Sequence, residues 1–281
     1  MARLQAMTMS DSGEPDTLAL PVPVEICQPA AMWRLDGRIA VVTGAGQGNG
    51  RAIALGLAAA GAAVAVSDID PETAARTAGE IEAAGGRAFA SRVDVADRDA
   101  CGRFAEETRE RLGDAAILVN NAGINCRKPI GEPDFEEAWD EVFRINVDGT
   151  RNMVRAFLPQ LRATRASIVN LGSIMSFTAG PGASAYAATK GAIAQFTRGL
   201  AHDLAPDGIR VNAIAPGVIA TAMTEVTRAD PAKIGRFMAH TPMGRVGEPE
   251  ELVGPVLFLV SDMASYVTGA VLPVDGGYLA S

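Results

Sequence analysis

The sequence predicts an α/β protein built on a doubly wound parallel sheet of about seven strands, with helices on both faces. Strand-like and helix-like segments alternate seven times from residue 35 onward. The strand-like segments are nearly continuous apolar runs, which is typical of parallel strands covered on both faces. A glycine-rich turn follows the first of them and opens a helix. These observations indicate three layers, with the sheet between two layers of helices.

In chain order, the first half of the domain contains four predicted strands. Apolar and β-branched residues mark them at 39–43, 63–68, 88–95 and 116–120. Small helix-forming residues predict a helix at 51–60, and Pro71 suits the first turn of the next one. A further helix is expected at 97–112, before the fourth strand. The segment is therefore a chain of strand–helix units.

The second half continues the alternation with longer helices. A polar loop leads to a predicted helix at 134–157, followed by strands at 167–171 and 209–214 with a helix from Tyr186 to about Leu204 between them. Residues 221–240 are expected to form a helical flap. A last helix at 248–260 and a last strand at 270–274 complete the seven units.

Residues 1–33 differ from the rest of the chain. They contain four prolines and no sustained hydrophobic period, which predicts a flexible N-terminal extension. Met32 stands directly before the regular pattern, so a start at that position is an equally open interpretation. Residues 34–281 show no internal repeat and are expected to form a single domain.

The composition excludes several functional classes. A net charge of −8 and a pI near 4.9 argue against a nucleic-acid partner, which would require a basic face. No apolar run has the length of a membrane span, so no membrane partner is expected. Three cysteines without a CxxC pair indicate reduced thiols in a cytoplasmic protein. With only two histidines, neither a metal site nor a Ser-His hydrolase is predicted.

Residues 43–50, Thr-Gly-Ala-Gly-Gln-Gly-Asn-Gly, have the position and composition of a phosphate-binding turn. Glycine allows a tight turn and close approach of backbone N–H groups to a pyrophosphate, and the following helix N-terminus favours negative charge. Asp68 ends the second strand, where a carboxylate accepts hydrogen bonds from the ribose hydroxyls of NAD. Gln47 and Ile69 occupy positions where a basic residue would favour NADP, so the sequence predicts NAD as cofactor.

Tyr186 and Lys190 are four residues apart in a predicted helix, which places both side chains on one face. A free tyrosine has a pKa of roughly 10. A nearby ammonium is expected to lower it, so that the phenol exchanges a proton near neutral pH. Ser173 follows the strand at 167–171 and would offer a hydroxyl to the same substrate oxygen. Taken alone, the Tyr–Lys pair is more simply explained as two ordinary surface neighbours.

With these residues assembled, residues 35–281 resemble a short-chain dehydrogenase/reductase with a three-layer Rossmann fold. The loop at 43–50 fits the family's TGxxxGxG motif, and residues 120–123 fit its NNAG motif. Asn146, Ser173, Tyr186 and Lys190 match its catalytic tetrad in type and order. The resemblance implies a cofactor-binding set of Gly44, Gln47, Gly48, Asn49, Gly50, Asp68, Ile69, Asp94, Val95, Asn121, Ala122, Gly123, Tyr186, Lys190, Pro216, Gly217, Ile219 and Thr221. Asn49 departs from the family, which usually has an apolar residue there.

The resemblance implies roles for these residues. Ser173 would donate to the substrate oxygen, Tyr186 would exchange the proton, and Lys190 would bind the nicotinamide ribose and assist the phenol. Asn146 would hold a water in a proton relay, although an asparagine that caps or bends a helix is the simpler explanation from the residues alone. The expected activity is interconversion of a secondary alcohol and a ketone with NAD(H).

Three alternatives to this activity remain open from the sequence. A 3-oxoacyl-(acyl-carrier-protein) reductase uses the same motifs, and a non-catalytic NAD-binding regulator would keep the glycine loop. A serine hydrolase is disfavoured because residues 182–186 lack the closing glycine of a nucleophile elbow. Among alcohols, a polyol or sugar derivative is the expected substrate.

The substrate pocket is expected to be lined by Ile174, Met175, Phe177, Gly217, Val218 and Met223, with residues 125–128 at its rim. Arg127 and Lys128 suggest an anionic substrate, but a solvated loop is the simpler interpretation. Apolar helices around Tyr186 and 142–157 and the apolar end segment offer more surface than one monomer buries. The resemblance therefore implies a homotetramer or homodimer.

Overall fold

Seven parallel strands form one sheet in the computed structural model, which describes residues 32–281. The strands are β1 (Ile39–Thr43), β2 (Ala63–Asp68), β3 (Ala88–Arg92), β4 (Ile117–Asn120), β5 (Ser167–Leu171), β6 (Arg210–Pro216) and β7 (Val271–Val274). Their order is β3-β2-β1-β4-β5-β6-β7. The predicted doubly wound fold is confirmed. The predicted flexible extension lies outside the described residues, except for Met32 and Trp33.

The order of the strands reverses at β1. This strand pairs with β2 on one side and with β4 on the other, so Val41 is opposite both Ala65 and Leu118. The connections from β1 and β4 therefore leave the sheet in opposite directions, and a crevice opens beyond their carboxyl ends. The glycine-rich turn and the segment after β4 face each other across this crevice.

Helices cover both faces of the sheet. They are α1 (Gly48–Ala59), α2 (Pro71–Ala83), α3 (Arg98–Arg111), α4 (Phe135–Phe143), α5 (Gly149–Thr164), α6 (Ser184–Leu204), α7 (Glu225–Arg228), α8 (Pro231–Met238) and α9 (Val253–Val260). Because side chains alternate along a strand, Val42 packs with α1, α2 and α9, whereas Val41 packs with α3, α5 and α6. Two hydrophobic cores result, one on each face.

Several element boundaries differ from those predicted: β6 runs to Pro216 rather than 214, and the helix predicted at 248–260 begins as a 3₁₀ turn at Pro249–Leu252 before α9. The two largest differences are in β3 and in the helix predicted at 134–157. β3 ends at Arg92 rather than 95, because the chain turns at Asp94, whose carboxylate accepts the N–H of Ala96 at 2.9 Å. The helix predicted at 134–157 is two helices, α4 and α5, joined by a π-helical turn at Arg144–Asp148, and it continues to Thr164. The turn re-aims Asn146, which is buried within it.

A chain of buried hydrogen bonds crosses the carboxyl ends of β4 and β5 to α6. The Asn120 amide donates to Asn170 at 2.9 Å, the Asn170 amide donates to Thr197 at 3.0 Å, and Thr197 donates to the carbonyl of Ile193 at 2.8 Å. Asn120, Asn170 and Thr197 are almost completely buried. This chain ties the helix that carries Tyr186 to the two central strands.

Candidate active site

The turn between β1 and α1 requires glycine at several positions. Gly44 and Gly48 have φ angles of +59° and +53°, in the left-handed region that favours glycine. A Cβ atom at Gly44 would lie 2.9 Å from the Cα atom of Ala122, and one at Gly50 would lie 2.2 Å from the carbonyl oxygen of Gly44. The backbone of this turn is therefore exposed to a ligand without intervening side chains.

The segment after β4 holds the turn in place. The Thr43 hydroxyl accepts the N–H groups of Asn121 and Ala122, both at 3.0 Å. In return, the Asn121 amide donates to the carbonyls of Thr43 and Gly44, both at 2.9 Å. These four bonds join the two predicted motifs into one rigid unit, with Gly123 at the floor of the cleft beyond it.

The first turn of α1 has donors available for an anion. Gln47, at the N-cap, is exposed and gives no side-chain cap, so the first amide N–H groups of the helix are free to bind an anion such as a pyrophosphate. Asn49 lies next to them with a buried amide oxygen that has no partner within the described residues, and it lines the cleft. An unpartnered amide at this position suits a polar ligand. The glycine cradle and these donors fit a dinucleotide.

Asp68 is held at the end of β2 by the turn itself. Its carboxylate accepts the N–H of Gly46 at 2.9 Å and that of Asp70 at 3.2 Å. Ile69 is exposed beside it. Sequence reasoning missed Arg92, which the register of β2 and β3 places opposite Asp68, and whose guanidinium donates to the carbonyl of Ile69 at 3.2 Å. A carboxylate and a guanidinium therefore share this end of the crevice.

Asp94 and Val95 lie between the turn and α5. The Asp94 carboxylate is 3.4 Å from the guanidinium of Arg144. Val95 is buried, and a Cβ atom at Gly149 would lie 2.5 Å from its side chain, so the start of α5 packs directly on it. The N–H of Val93 donates to the carbonyl of Asp68 at 2.9 Å, so this segment adjoins Asp68 at the β2–β3 end of the crevice.

Ser173, Tyr186 and Lys190 meet at the other end of the cleft. α6 presents the tyrosine and the lysine on one face, with the Lys190 ammonium 5.7 Å from the centre of the Tyr186 ring. Lys190 is buried and donates to the carbonyl of Leu171 at 2.6 Å, which uses one of its three N–H groups. Ser173 begins the short turn after β5, where its hydroxyl accepts the N–H of Met175 at 3.1 Å. All three side chains line the same cleft.

Burial governs the protonation of this group. Desolvation raises the pKa of Tyr186, while hydrogen bonding to Ser173 and the charge of Arg127 oppose the rise. Burial also lowers the pKa of Lys190 to about 8. The expected lowering of the Tyr186 pKa by Lys190 is not seen in the protein alone, where loss of water is the largest influence on the phenol.

Asn146 occupies the π-helical turn with its side-chain amide fully engaged. Its oxygen accepts the N–H of Ile124 at 2.8 Å, and its nitrogen donates to the carbonyl of Ile124 at 3.0 Å and to Thr189 at 3.2 Å. Thr189 in turn donates to the carbonyl of Tyr186 at 2.7 Å. Asn146 thus connects the loop after β4 to the helix of Tyr186, and neither amide N–H remains free for a water.

The segment after β6 forms the remaining wall of the cleft. Pro216, Gly217, Ile219 and Thr221 all line it. Ile219 is buried, and the methyl group of Thr221 lies 3.2 Å from the position of a Cβ atom at Gly48, so this segment reaches the glycine turn. Together these contacts make a continuous groove from the turn to Tyr186.

A cavity of about 960 Å³ adjoins this cleft and shares Met223 with it. Met175, Met223, Asn125 and Arg127 line it as predicted. Ile174, Phe177, Gly217 and Val218 do not: Ile174 is buried, Phe177 is outside the walls, and the loop after β6 turns Gly217 and Val218 away. The walls that sequence reasoning missed come from α7, α8 and the chain end, including Val226, Lys233, Arg236, Phe237, His240 and Tyr278.

No helix within residues 32–281 combines the length and apolar character needed to cross a membrane. Over the same residues, no group of three or more His, Cys, Asp or Glu side chains is arranged to hold a metal ion.

A family model described as enoyl-(acyl carrier protein) reductase matches residues 44–279. Galactitol 2-dehydrogenase (L-tagatose-forming) of Cereibacter sphaeroides is 44% identical over 252 residues, covering 88% of this chain and 97% of its own. Cyclopentanol dehydrogenase of Comamonas sp. (strain NCIMB 9872) is 40% identical over 254 residues, covering 89% of this chain and all of its own.

Among solved structures, a gluconate 5-dehydrogenase from Burkholderia cenocepacia J2315, in complex with NADP and tartrate, is similar throughout. It has a TM-score of 0.86 and 38% identity, covering 90% of this chain and 100% of that one. The likeness therefore spans the whole sheet and the cleft, and not the glycine turn alone.

Proposed function

The chain belongs to the short-chain dehydrogenase/reductase family and is an oxidoreductase of alcohol groups, and we propose that it interconverts a secondary alcohol and a ketone with NAD(H). The observation that carries the proposal is that Ser173, Tyr186 and Lys190 meet at one end of a groove whose other end is the glycine turn with Asp68. A proton-transfer group and a dinucleotide cradle on one groove are what hydride transfer from an alcohol requires.

The nicotinamide, when bound, supplies the hydride acceptor and donor. The protein handles the proton and the orientation of the substrate. The Ser173 hydroxyl donates to the substrate oxygen, and Tyr186 takes the hydroxyl proton in oxidation or gives it in reduction. Because burial raises the Tyr186 pKa, the phenol stays protonated and carries the proton that reduction requires, and phenolate for oxidation must be favoured by Ser173, by Arg127 and by positive charge nearby.

Lys190 has two N–H groups left after its bond to Leu171, and these suit the nicotinamide ribose hydroxyls. Asn146 acts as a positioning residue, since its amide bonds fix the loop after β4 and, through Thr189, the helix of Tyr186. This positioning role replaces the expected water relay at the Asn146 side chain, because both of its amide N–H groups already have partners. Gly44, Gly48 and Gly50 hold the pyrophosphate on the first turn of α1.

NAD is the proposed cofactor because Asp68 presents a carboxylate where a 2′-phosphate would bring a like charge. The bonds from Gly46 and Asp70 fix that carboxylate. One solved relative is in complex with NADP. Arg92, opposite Asp68 on β3, is a cation that would favour a phosphate at this end of the crevice. Its guanidinium donates to the carbonyl of Ile69 at 3.2 Å.

A substrate panel tests the activity directly. Purified protein is given NAD or NADP with polyols, sugar acids and simple secondary alcohols, or NADH or NADPH with ketones and a 3-oxoacyl thioester, and absorbance at 340 nm is followed. Turnover of secondary alcohols that Tyr186→Phe abolishes supports the proposal. NADH binding without turnover of any substrate would instead indicate a non-catalytic NAD-binding protein, and exclusive reduction of the thioester would indicate a 3-oxoacyl-(acyl-carrier-protein) reductase.

We propose further that the protein is a homotetramer in the cytoplasm. Residues 34–281 form its one domain, and its partner is a small-molecule alcohol or ketone. β7 is an edge strand whose side chains are only partly covered, and α9 beside it is almost wholly apolar, yet Leu257 and Phe258 are only half-buried. Unpaired edges and apolar faces of this kind favour association. Light scattering should give about four times the 29.1 kDa chain mass. A monomer mass would contradict it.

A further inference from the structure

The cavity beside the catalytic cleft is lined by aromatic and apolar side chains and by cationic ones. Met175, Val226, Phe237 and Tyr278 are among the first group, with the Phe237 and Tyr278 rings 5.9 Å apart. Its volume of about 960 Å³ is large for a small alcohol. The cavity therefore has room for a part of the substrate that does not react.

The charged side chains of this cavity are all basic. At the chain's ratio of 33 acidic residues in 281, about two of the 17 lining positions would carry a carboxylate, yet none does, whereas Arg127, Lys233 and Arg236 are present. Lys233 pairs with Asp230 at 3.2 Å. Arg127 and Arg236 make neither an ion pair nor a side-chain hydrogen bond with any residue of 32–281.

Arg127, in the loop after β4, approaches the helical flap at 221–240. Its guanidinium carbon is 5.9 Å from the centre of the Phe237 ring, so the loop after β4 and α8 approach each other there. Arg127 also acts electrostatically on the Tyr186 phenol, which places it near the reacting oxygen. Its neighbour Lys128 pairs with Asp134 and is absent from the walls. The two cations of this loop therefore differ in role.

We propose that the substrate is a hydroxy acid or keto acid whose carboxylate is held by Arg127 and Arg236 in this cavity, while its secondary alcohol lies at Ser173 and Tyr186. Guanidinium groups bind carboxylates through paired hydrogen bonds, and two of them unopposed by acids define an anionic subsite. Both arginines line the cavity and are exposed to solvent, so the carboxylate of a small acid that enters the cavity can reach them. This inference rests on the proposed function for the reacting end of the substrate.

The test compares substrates that differ only in the carboxylate. Gluconate and glucitol are offered with NAD, and kcat/KM for gluconate is expected to exceed that for glucitol by at least about tenfold. Arg236→Gln should raise the KM for gluconate about tenfold and leave glucitol unchanged, whereas Arg127→Gln should raise the KM for gluconate by a similar factor and also slow the oxidation of both substrates, because its charge favours the Tyr186 phenolate. Lys233→Gln is the matched control on the same helix, and it should change neither value because its charge is already paired.

Calorimetric titration of gluconate into the NADH-loaded protein gives a readout independent of turnover. Binding that both arginine variants weaken, and that the control does not, supports the anionic subsite even where turnover is slow. Equal kcat/KM for gluconate and glucitol would overturn it while leaving the alcohol dehydrogenase activity intact. Arginine variants that weaken only a carrier-protein-bound 3-oxoacyl thioester would also overturn it. Absence of turnover with any alcohol would instead contradict the proposed function.

Discussion

Replacing Asp68 with asparagine should reverse the cofactor preference. The carboxylate has about four acceptor positions, and the N–H groups of Gly46 and Asp70 occupy two of them, at 2.9 and 3.2 Å. Two acceptor positions remain for the ribose hydroxyls. Asparagine keeps the size of the side chain but loses the charge, and its NH2 group is the wrong partner for either the turn or a donating hydroxyl.

The expected magnitude follows from that count. Hydrogen bonds to charged groups are worth about 1.5 to 3 kcal/mol, so the Kd for NADH should rise roughly 10- to 150-fold in Asp68→Asn. NADPH binding should tighten several-fold, because the like charge facing the 2′-phosphate is gone. Fluorescence titration of both cofactors at one fixed ionic strength measures the two constants.

Asp70→Asn is the matched control. Asp70 caps α2 by accepting the N–H of Glu72 at 2.9 Å, a bond that asparagine also makes, and the change in net charge is the same. An equal loss of NADH affinity in both variants would show that overall charge, rather than the ribose contact, is responsible. A second contrary result is also possible: wild type binds NADH and NADPH equally, and Arg92→Gln weakens only NADPH. Cofactor preference would then depend on Arg92 and not on Asp68.

Tyr186→Phe should lower kcat about a thousandfold while the Kd for NADH changes less than about threefold, because only the proton is lost; a residual rate above about a tenth of wild type would place the proton elsewhere. Lys190 has a pKa of about 8 in the folded protein against 10.5 as its ordinary value, so the unfolded chain binds more protons between these values and stability rises with pH across that window. The free energy of unfolding of Lys190→Met minus that of wild type should therefore fall by about 3 kcal/mol from pH 8 to 10.5 in urea titrations. A difference that does not change with pH would refute the burial penalty on the ammonium. Burial raises the pKa of the Cys101 thiol to about 12, so peptide mapping after iodoacetamide at pH 8 should find it unmodified in the native protein and modified in urea; rapid native labelling would contradict this.

Most of the fold was predictable because its signals are local. Apolar runs, glycine turns and helix-forming stretches each depend on a few neighbouring residues, and their alternation indicates a parallel, doubly wound sheet. The π-helical turn at Arg144–Asp148 was not predictable. It depends on where Asn146 meets Ile124 and Thr189, two contacts that only the folded chain creates.

The candidate site likewise has a part that the sequence predicted and a part that it missed. Many of the motif residues line one cleft, with the glycine turn and Asp68 beyond its end, and their roles stay predictions. The substrate cavity was largely missed, since α7 and α8 are short and the walls depend on how they fold over the cleft. Arg92 was missed for a similar reason: it is 24 positions from Asp68 in sequence, and only the pairing of β2 with β3 brings the two together.

The hydrogen-bond chain through Asn120, Asn170 and Thr197 has a consequence for how the protein reaches its native state. A one-residue slip of β5 along β4 would turn Asn170 toward the opposite core and leave two amides buried without partners. Each such loss costs about 1 to 3 kcal/mol. The paired amides therefore destabilise sheets in which β5 pairs with β4 out of register, and so favour the native register during folding.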